Sequence, residues 1–228
     1  QEDMALPFVR ILGQLSPQVT DGDAKYIDGA KPGMIYNTVT SECFDGKKGI
    51  KVIPCYYKKD FPEWSDRGDG PGAPVAVHLP NSPVIQTGKR DGSKIRLPNG
   101  NYLEETASYY VLVQTKAGGM TPALITMKST QLNVSKKWNS MMKTIQIPDG
   151  KGGFAIPPMH GVVYNLQSVL QKNDKGSWYG WSVAQDRIMG QEDKSLYLNA
   201  KDFRGNVSKG NVQTKADVEE KAKDNTPY

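Results

Sequence analysis

Two histidines, two cysteines and a few acidic pairs are the residues of this 228-residue chain that could carry chemistry. His78 and His160 are the only imidazoles, and neither sits at metal-ligand spacing. No C-x-x-C, H-E-x-x-H, P-loop or G-x-S-x-G pattern occurs. Glu104 and Glu105 are adjacent, and neighbours on a strand point to opposite faces, which makes a poor metal pair. Asp21 and Asp23 lie in a turn-rich stretch where aspartate serves the backbone. A nuclease would need Asp21, Asp23 and Glu104 brought together. The expectation is a protein that is not an enzyme and takes no metal or cofactor.

Cys43 and Cys55 fall in MIYNTVTSECFDGKKGIKVIPCYY, which reads as a hairpin of Met34 to Phe44 and Ile50 to Lys58. A turn centred near Lys47 sets Cys43 opposite position 51, so a disulfide is not expected. Both cysteines read as small buried apolar residues in a reducing compartment.

Charge says more than catalytic motifs do. The formal net charge is +5, and between Ala107 and Pro148 there is no Asp or Glu at all. That window carries Lys116, Lys128, Lys136, Lys137 and Lys143. On a helical wheel Val134, Trp138, Met141 and Ile145 share one face, with Met142 at its edge. Lys136, Ser140 and Lys143 take the other face, with Lys137 to one side. Lysines and hydroxyls in this arrangement suit phosphate contacts.

The second candidate is NDKGSWYGW. On a strand Trp178 and Gly180 face one way, Tyr179 and Trp181 the other. One pair suits a core and the other a stacking platform for bases, because every base has a π-face. Tyr109 and Tyr110 pose the same choice.

The elements that must position these groups are mostly strands. Gly and Pro are plentiful, at 23 and 15 residues, which favours short strands and loops. Residues 4–19 read as a strand or short helix packed on the body. SYYVLVQT (108–115) and ALITMK (123–128) form a second hairpin, followed by a helix from Ser129 or Thr130 to about Lys143. VVYNLQSVL (162–170) and SWYGWSVA (177–184) form a third hairpin. A last helix over 193–208 aligns Leu196, Ala200, Phe203 and Val207. Residues 60–101 are Gly/Pro-rich, with only VAVH (75–78) strand-like. They read as a long loop whose Lys89, Arg90, Lys94 and Arg96 could close over a bound strand. No run is long and apolar enough to span a membrane, and the first residue, Gln1, suggests that the natural N-terminus lies upstream.

The stretches LPFVRILGQLSPQV, YIDGAKPGMIYNTVT, KVIPCYYKKDFPEW and MKSTQLNVSKKWNSMM occur in an order that resembles a family of tailed-bacteriophage proteins. These are found with replication and recombination genes, and some are assigned as single-stranded DNA-binding proteins. The resemblance covers most of residues 4–205. It implies a role in phage DNA metabolism and identifies no binding residues.

The chain closes on DNTPY. Single-stranded DNA-binding proteins of bacteria and several phages end in a disordered acidic tail with a terminal aromatic, and this ending is similar in form. Asp224, Pro227 and Tyr228 are therefore candidate partner-binding residues. From Glu219 to Tyr228 three acids stand against two lysines, a weaker charge than such tips carry.

The combined expectation is a β-rich α+β fold: an OB-like small β-barrel of about seven strands, with two helices, a long Gly/Pro-rich loop and a flexible tail. A sandwich fits nearly as well. Residues 1–210 form one nucleic-acid-binding domain and 211–228 a disordered tail. The expected function is a phage protein covering single-stranded DNA in replication or recombination, in the host cytoplasm, as a monomer or homo-oligomer. Lys128, Lys136, Lys137, Lys143, Lys89 and Arg90 are expected on phosphates, and Trp178, Tyr179 and Trp181 on bases. The rival readings are a structural or virion component that does not bind nucleic acid, and an annealing protein with the same basic surface.

Overall fold

The computed structural model describes residues 6–66, 73–174 and 176–212. Three short strands, β1 (Val9–Ile11), β2 (Ile35–Asn37) and β3 (Cys43–Phe44), form a small antiparallel sheet in that order. The long strand β4 (Ile50–Trp64) follows. Then come β5 (Ala76–His78), the one-turn helix α1 (Pro83–Thr87), β6 (Lys89–Asp91), β7 (Lys94–Arg96) and β8 (Tyr102–Glu104). The hairpin β9 (Thr106–Gln114) and β10 (Met120–Lys128) leads into α2 (Leu132–Thr144). A small pair, β11 (Ile147–Pro148) and β12 (Phe154–Ala155), precedes the long hairpin β13 (Val162–Asn173) and β14 (Gly176–Ile188). The last element is α3 (Lys194–Ser208).

β4 is the spine. Its first half pairs with β13 (Val52 opposite Tyr164) and with β9 (Val52 opposite Val113, through to Asp60 opposite Thr106). Its far end pairs with β5 and β8. The central strands therefore lie in the spatial order β10-β9-β4-β13-β14, all antiparallel. Register slips between Pro54 and Tyr56. Such a bulge tolerates proline's missing N–H and bends the strand, so the sheet curls. At the outer edge of β10, Phe8 makes a parallel bridge to Leu124, whose N–H donates to the Pro7 carbonyl at 2.8 Å. The result is a β-rich α+β fold, a half-barrel sheet with two main helices.

One sheet face carries α2 and holds the largest core. Val52, Tyr109, Val111, Ile125, Tyr164 and Leu166 are fully buried there, with Val9 and Ile35 from the small sheet. Trp138 of α2 stacks on Tyr109 with ring centres 4.3 Å apart. The Tyr109 hydroxyl meets Ser135 Oγ at 2.7 Å and Asn139 Oδ1 at 3.1 Å. The opposite face carries α3, whose Leu196, Ala200, Phe203 and Val207 cover Ile53, Cys55, Leu112 and Val163. Asp193 enters α3 paired with Arg187 and accepts the Gly190 N–H at 3.0 Å.

Several expectations need correction. The described residues form fourteen strands, not about seven. Met34–Phe44 and Ile50–Lys58 do not pair: β2 lies between β1 and β3, because both edges of β4 are taken by β9 and β13. Cys43 and Cys55 therefore sit in different sheets, and neither is in a disulfide. Burial pushes the Cys55 thiol up to about 12, against a smaller opposing pull from the backbone at Leu112.

Residues 60–101 are not one long loop. β4 runs on to Trp64, and β5 to β8 make a compact subsheet with its own core of Phe61, Ile95, Leu97 and Leu103. Buried Glu63 ties it together, accepting from Asn101 Nδ2 at 2.6 Å and lying 2.7 Å from His78 Nε2. The helix expected to be capped by Ser129 or Thr130 instead begins with a 3-10 turn over Ser129–Gln131, and no side chain caps it.

Candidate functional site

Alternate residues on three adjacent strands form the floor of a groove of about 600 Å³. β4 supplies Lys58, Asp60, Pro62 and Trp64; β9 supplies Thr106, Ser108 and Tyr110; β10 supplies Leu124, Thr126 and Lys128. Period two on an extended chain puts each set on one face. This is the α3 face, beyond the part that α3 covers, since Tyr110 and Leu124 also belong to the α3-side core.

The register lines these residues up in rungs. Asp60, Thr106 and Lys128 stand side by side; so do Lys58, Ser108 and Thr126, then Tyr56, Tyr110 and Leu124. Polarity therefore falls along the groove from the end of β10 toward the α3-side core. The walls come from Phe8 to Ile11 on one side and from Tyr179 to Trp181 on another, with Glu104 of β8 at the rim.

Four of the five charged residues lining this groove are arranged in pairs, and the fifth, Arg10, has its guanidinium 5.9 Å from the Tyr36 ring centre. Lys128 Nζ lies 2.7 Å from Glu104 Oε2, and Lys58 Nζ lies 3.3 Å from Asp60 Oδ1. The lysine side chains are 54% and 39% exposed, whereas the carboxylates are only 13% and 11% exposed. The cationic heads thus reach solvent while the acids stay low. Lys128 also stands 6.0 Å from the Trp64 ring centre.

Tyr179 is held at the groove wall by a close backbone approach. A Cβ on Gly33 would stand 2.6 Å from the Tyr179 ring, and Gly33 has a φ of +88° that favours glycine. Beside it Gln131 anchors β14. Its Oε1 accepts the backbone N–H of Trp181 at 2.7 Å and its Nε2 donates to Gln171 Oε1 at 3.3 Å. A Cβ at Gly180 would fall 2.3 Å from Gln131 Nε2, so the small residue makes room for that anchor.

The residues singled out from sequence scatter around this groove. Lys128 and Tyr179 line it. Trp181 also reaches it but is a core residue, 5% exposed and packed with the α2-side cluster, so it offers no open ring face. Trp178 points the other way along the strand and is half-buried; its buried indole N–H has no hydrogen-bond partner. Lys136, Lys137 and Lys143 are exposed on α2, outside the groove lining. Lys89 and Arg90 are exposed on β6. Lys94 and Arg96 do not belong to a flexible basic loop. Lys94 Nζ stands 3.6 Å over the Tyr102 ring, and Arg96 bonds Asp66 and Asp91.

Asp224, Pro227 and Tyr228 lie outside the described residues. Among the described residues no three His, Cys, Asp or Glu side chains gather to hold a metal, so Asp21, Asp23 and Glu104 form no such group. Among the same residues no helix is long and apolar enough to cross a membrane.

Sequence reading passed over Arg10, Lys58, Asp60, Trp64 and Gln131. A signal for most of them was present: Lys58, Asp60, Pro62 and Trp64 alternate, which would have marked one face had the strand been carried past Lys58.

Comparison with known protein families matches residues 1–213 to a family described as Pam3 phage gp34-like protein. No curated protein and no solved structure matches the chain.

Proposed function

The chain belongs to the Pam3 phage gp34-like protein family, and from that premise we propose that it binds single-stranded DNA during phage replication or recombination in the host cytoplasm. The observation that carries this reading is the groove over β9 and β10. It sets the Tyr179 ring on its wall and the Trp64 ring on its floor, beside the solvent-reaching heads of Lys58 and Lys128. Stacking surfaces next to backbone-tracking cations are what single strands need.

The strand order supports reading the half-barrel as OB-like. β4, β9 and β10 form a meander, α2 follows, and β13 returns to the free edge of β4 before β14. OB-folds bind oligonucleotides on the face of their second and third strands, between the loops joining strands 1–2 and 4–5. Here those strands are β9 and β10. The first of those loops is replaced by the β5–β8 subsheet, which contributes Glu104 and Val77 to the groove. Near the second stands Tyr179. The exposed lysines of α2, on the other face of the sheet, would be a second and separate basic surface for phosphates.

The test is titration with a mixed-sequence single-stranded 20-mer, read by tryptophan fluorescence and anisotropy at low and high salt, with duplex of the same sequence as control. Saturable binding that weakens steeply with salt and is poorer for duplex is expected. No change at low salt would overturn the reading and favour a structural or virion component.

A further inference from the structure

Two carboxylates put acceptors into the groove, Asp60 on its floor and Glu104 at its rim. An ionised carboxylate accepts and cannot donate. The hydroxyls of Thr106, Ser108 and Thr126 serve either role and so discriminate little. Of the groups that only donate, Arg10 stands on the Phe8–Ile11 wall, with its guanidinium 5.9 Å from the Tyr36 ring centre, and the others are turned to solvent or enclosed. The heads of Lys58 and Lys128 stand toward solvent, where a backbone phosphate passes. Trp64 Nε1 is sealed from solvent, and both ends of the Gln131 amide are engaged.

We infer that the groove selects bases that carry an exocyclic amine, with Glu104 as the principal acceptor and Asp60 as the second. This rests on the single-stranded DNA reading above. Cytosine presents an N4 amine to such a floor, and carboxylates are the side chains that accept from it. Uracil and thymine present O4 in the same place, an acceptor facing an acceptor. Lys128 does not cancel the selection. A carboxylate has about four lone-pair sites, so one bound ammonium leaves Glu104 acceptor capacity for the base.

The experiment compares 12-mers of deoxycytidine and deoxyuridine, which are alike in backbone and ring size and differ at the base edge, by anisotropy at one salt concentration. The mixed-sequence 20-mer is run beside them. The expected result is about tenfold tighter binding of the cytidine oligomer. Glu104→Gln, whose amide both donates and accepts, is expected to bring the two affinities within about twofold while binding persists. Asp60→Asn serves as the second variant should Glu104→Gln fold poorly. Equal affinities in the native protein, or tighter uridine binding, would overturn the inference and leave the DNA reading standing. Preference retained in both variants would overturn the assignment to these carboxylates. Failure of every oligomer to bind would remove the DNA reading and this inference with it.

Discussion

Lys128 Nζ and Glu104 Oε2 lie 2.7 Å apart, joining the end of β10 to β8 at the rim of the groove. The pair is exposed on its cationic side, so its own contribution to stability is small, within about 1 kcal/mol. Its value is positional: the carboxylate holds the ammonium over the groove. Lys128→Gln is expected to weaken single-strand binding and reduce the slope of log affinity against log salt by about 1, the signature of one lost phosphate contact. An unchanged slope would show that Lys128 meets no phosphate. Thermal unfolding should barely move.

Tyr179 and Trp181 share a strand face but have different jobs. Tyr179→Ala is expected to cost about 1–3 kcal/mol of single-strand affinity, the worth of one stacked base, with little loss of fold stability. Trp181→Ala should instead lower stability by about 3–5 kcal/mol, because a buried indole leaves a cavity. Urea denaturation beside the binding titration separates the two. Gly33→Ala combines both effects. It strains a left-handed backbone by about 1 kcal/mol or more and displaces the Tyr179 ring.

The Tyr109–Trp138 stack is expected to dominate the attachment of α2. Tyr109→Phe keeps the ring contact but removes the hydroxyl that joins Ser135 and Asn139. Left-over buried partners cost about 1–3 kcal/mol. Trp138→Ala removes the whole fully buried ring and should cost about 3–5 kcal/mol. Denaturant midpoints measure both. Equal losses would mean that the hydroxyl network, not packing, holds the helix.

Acid should destabilise the fold in two windows. Burial pushes the His160 imidazole down, and Arg204 and Lys201 push it further. A histidine with a depressed folded value gives stability above its unfolded value of about 6.5, lost as pH falls below it. For Glu63, burial pushes the carboxyl up, but hydrogen bonds from Asn101, His78 and Asn99 together hold it below its usual range. Its stabilisation is complete above the unfolded value of about 4.3 and is lost as pH falls through the lower folded value. Asp193, held down by Arg187 and the Gly190 N–H, acts in that lower window too. Urea midpoints from pH 8 to 3 should fall in both windows. His160→Phe should flatten the first, and Glu63→Gln should shrink the second to the part that Asp193 contributes.

Local pattern was enough for the helices and hairpins built from neighbouring residues. The spacing of Leu196, Ala200, Phe203 and Val207 is a helical stripe, and α3 buries that stripe. The β9–β10 and β13–β14 pairs join strands close in sequence, and α2 carries Trp138 inward and its lysines outward as the wheel requires, although its buried face turns toward Ser135 and Met142 and leaves Val134 and Met141 half-buried. What tertiary structure alone decided was partnership. Nothing local in Ile50–Trp64 says that β9 will take one edge and β13, more than a hundred residues later, the other. Strand edges offer the same backbone groups to any partner, so the choice falls to packing on both faces. The same is true of the groove. Lys58, Ser108 and Thr126 are ordinary polar residues in three separate stretches, and only the sheet register sets them on one rung. The sequence by itself determined that Trp138 and the α3 stripe pack inward, but left open which of Trp178 and Trp181 would be the buried ring. The curl of the sheet decided which of the remainder face one another.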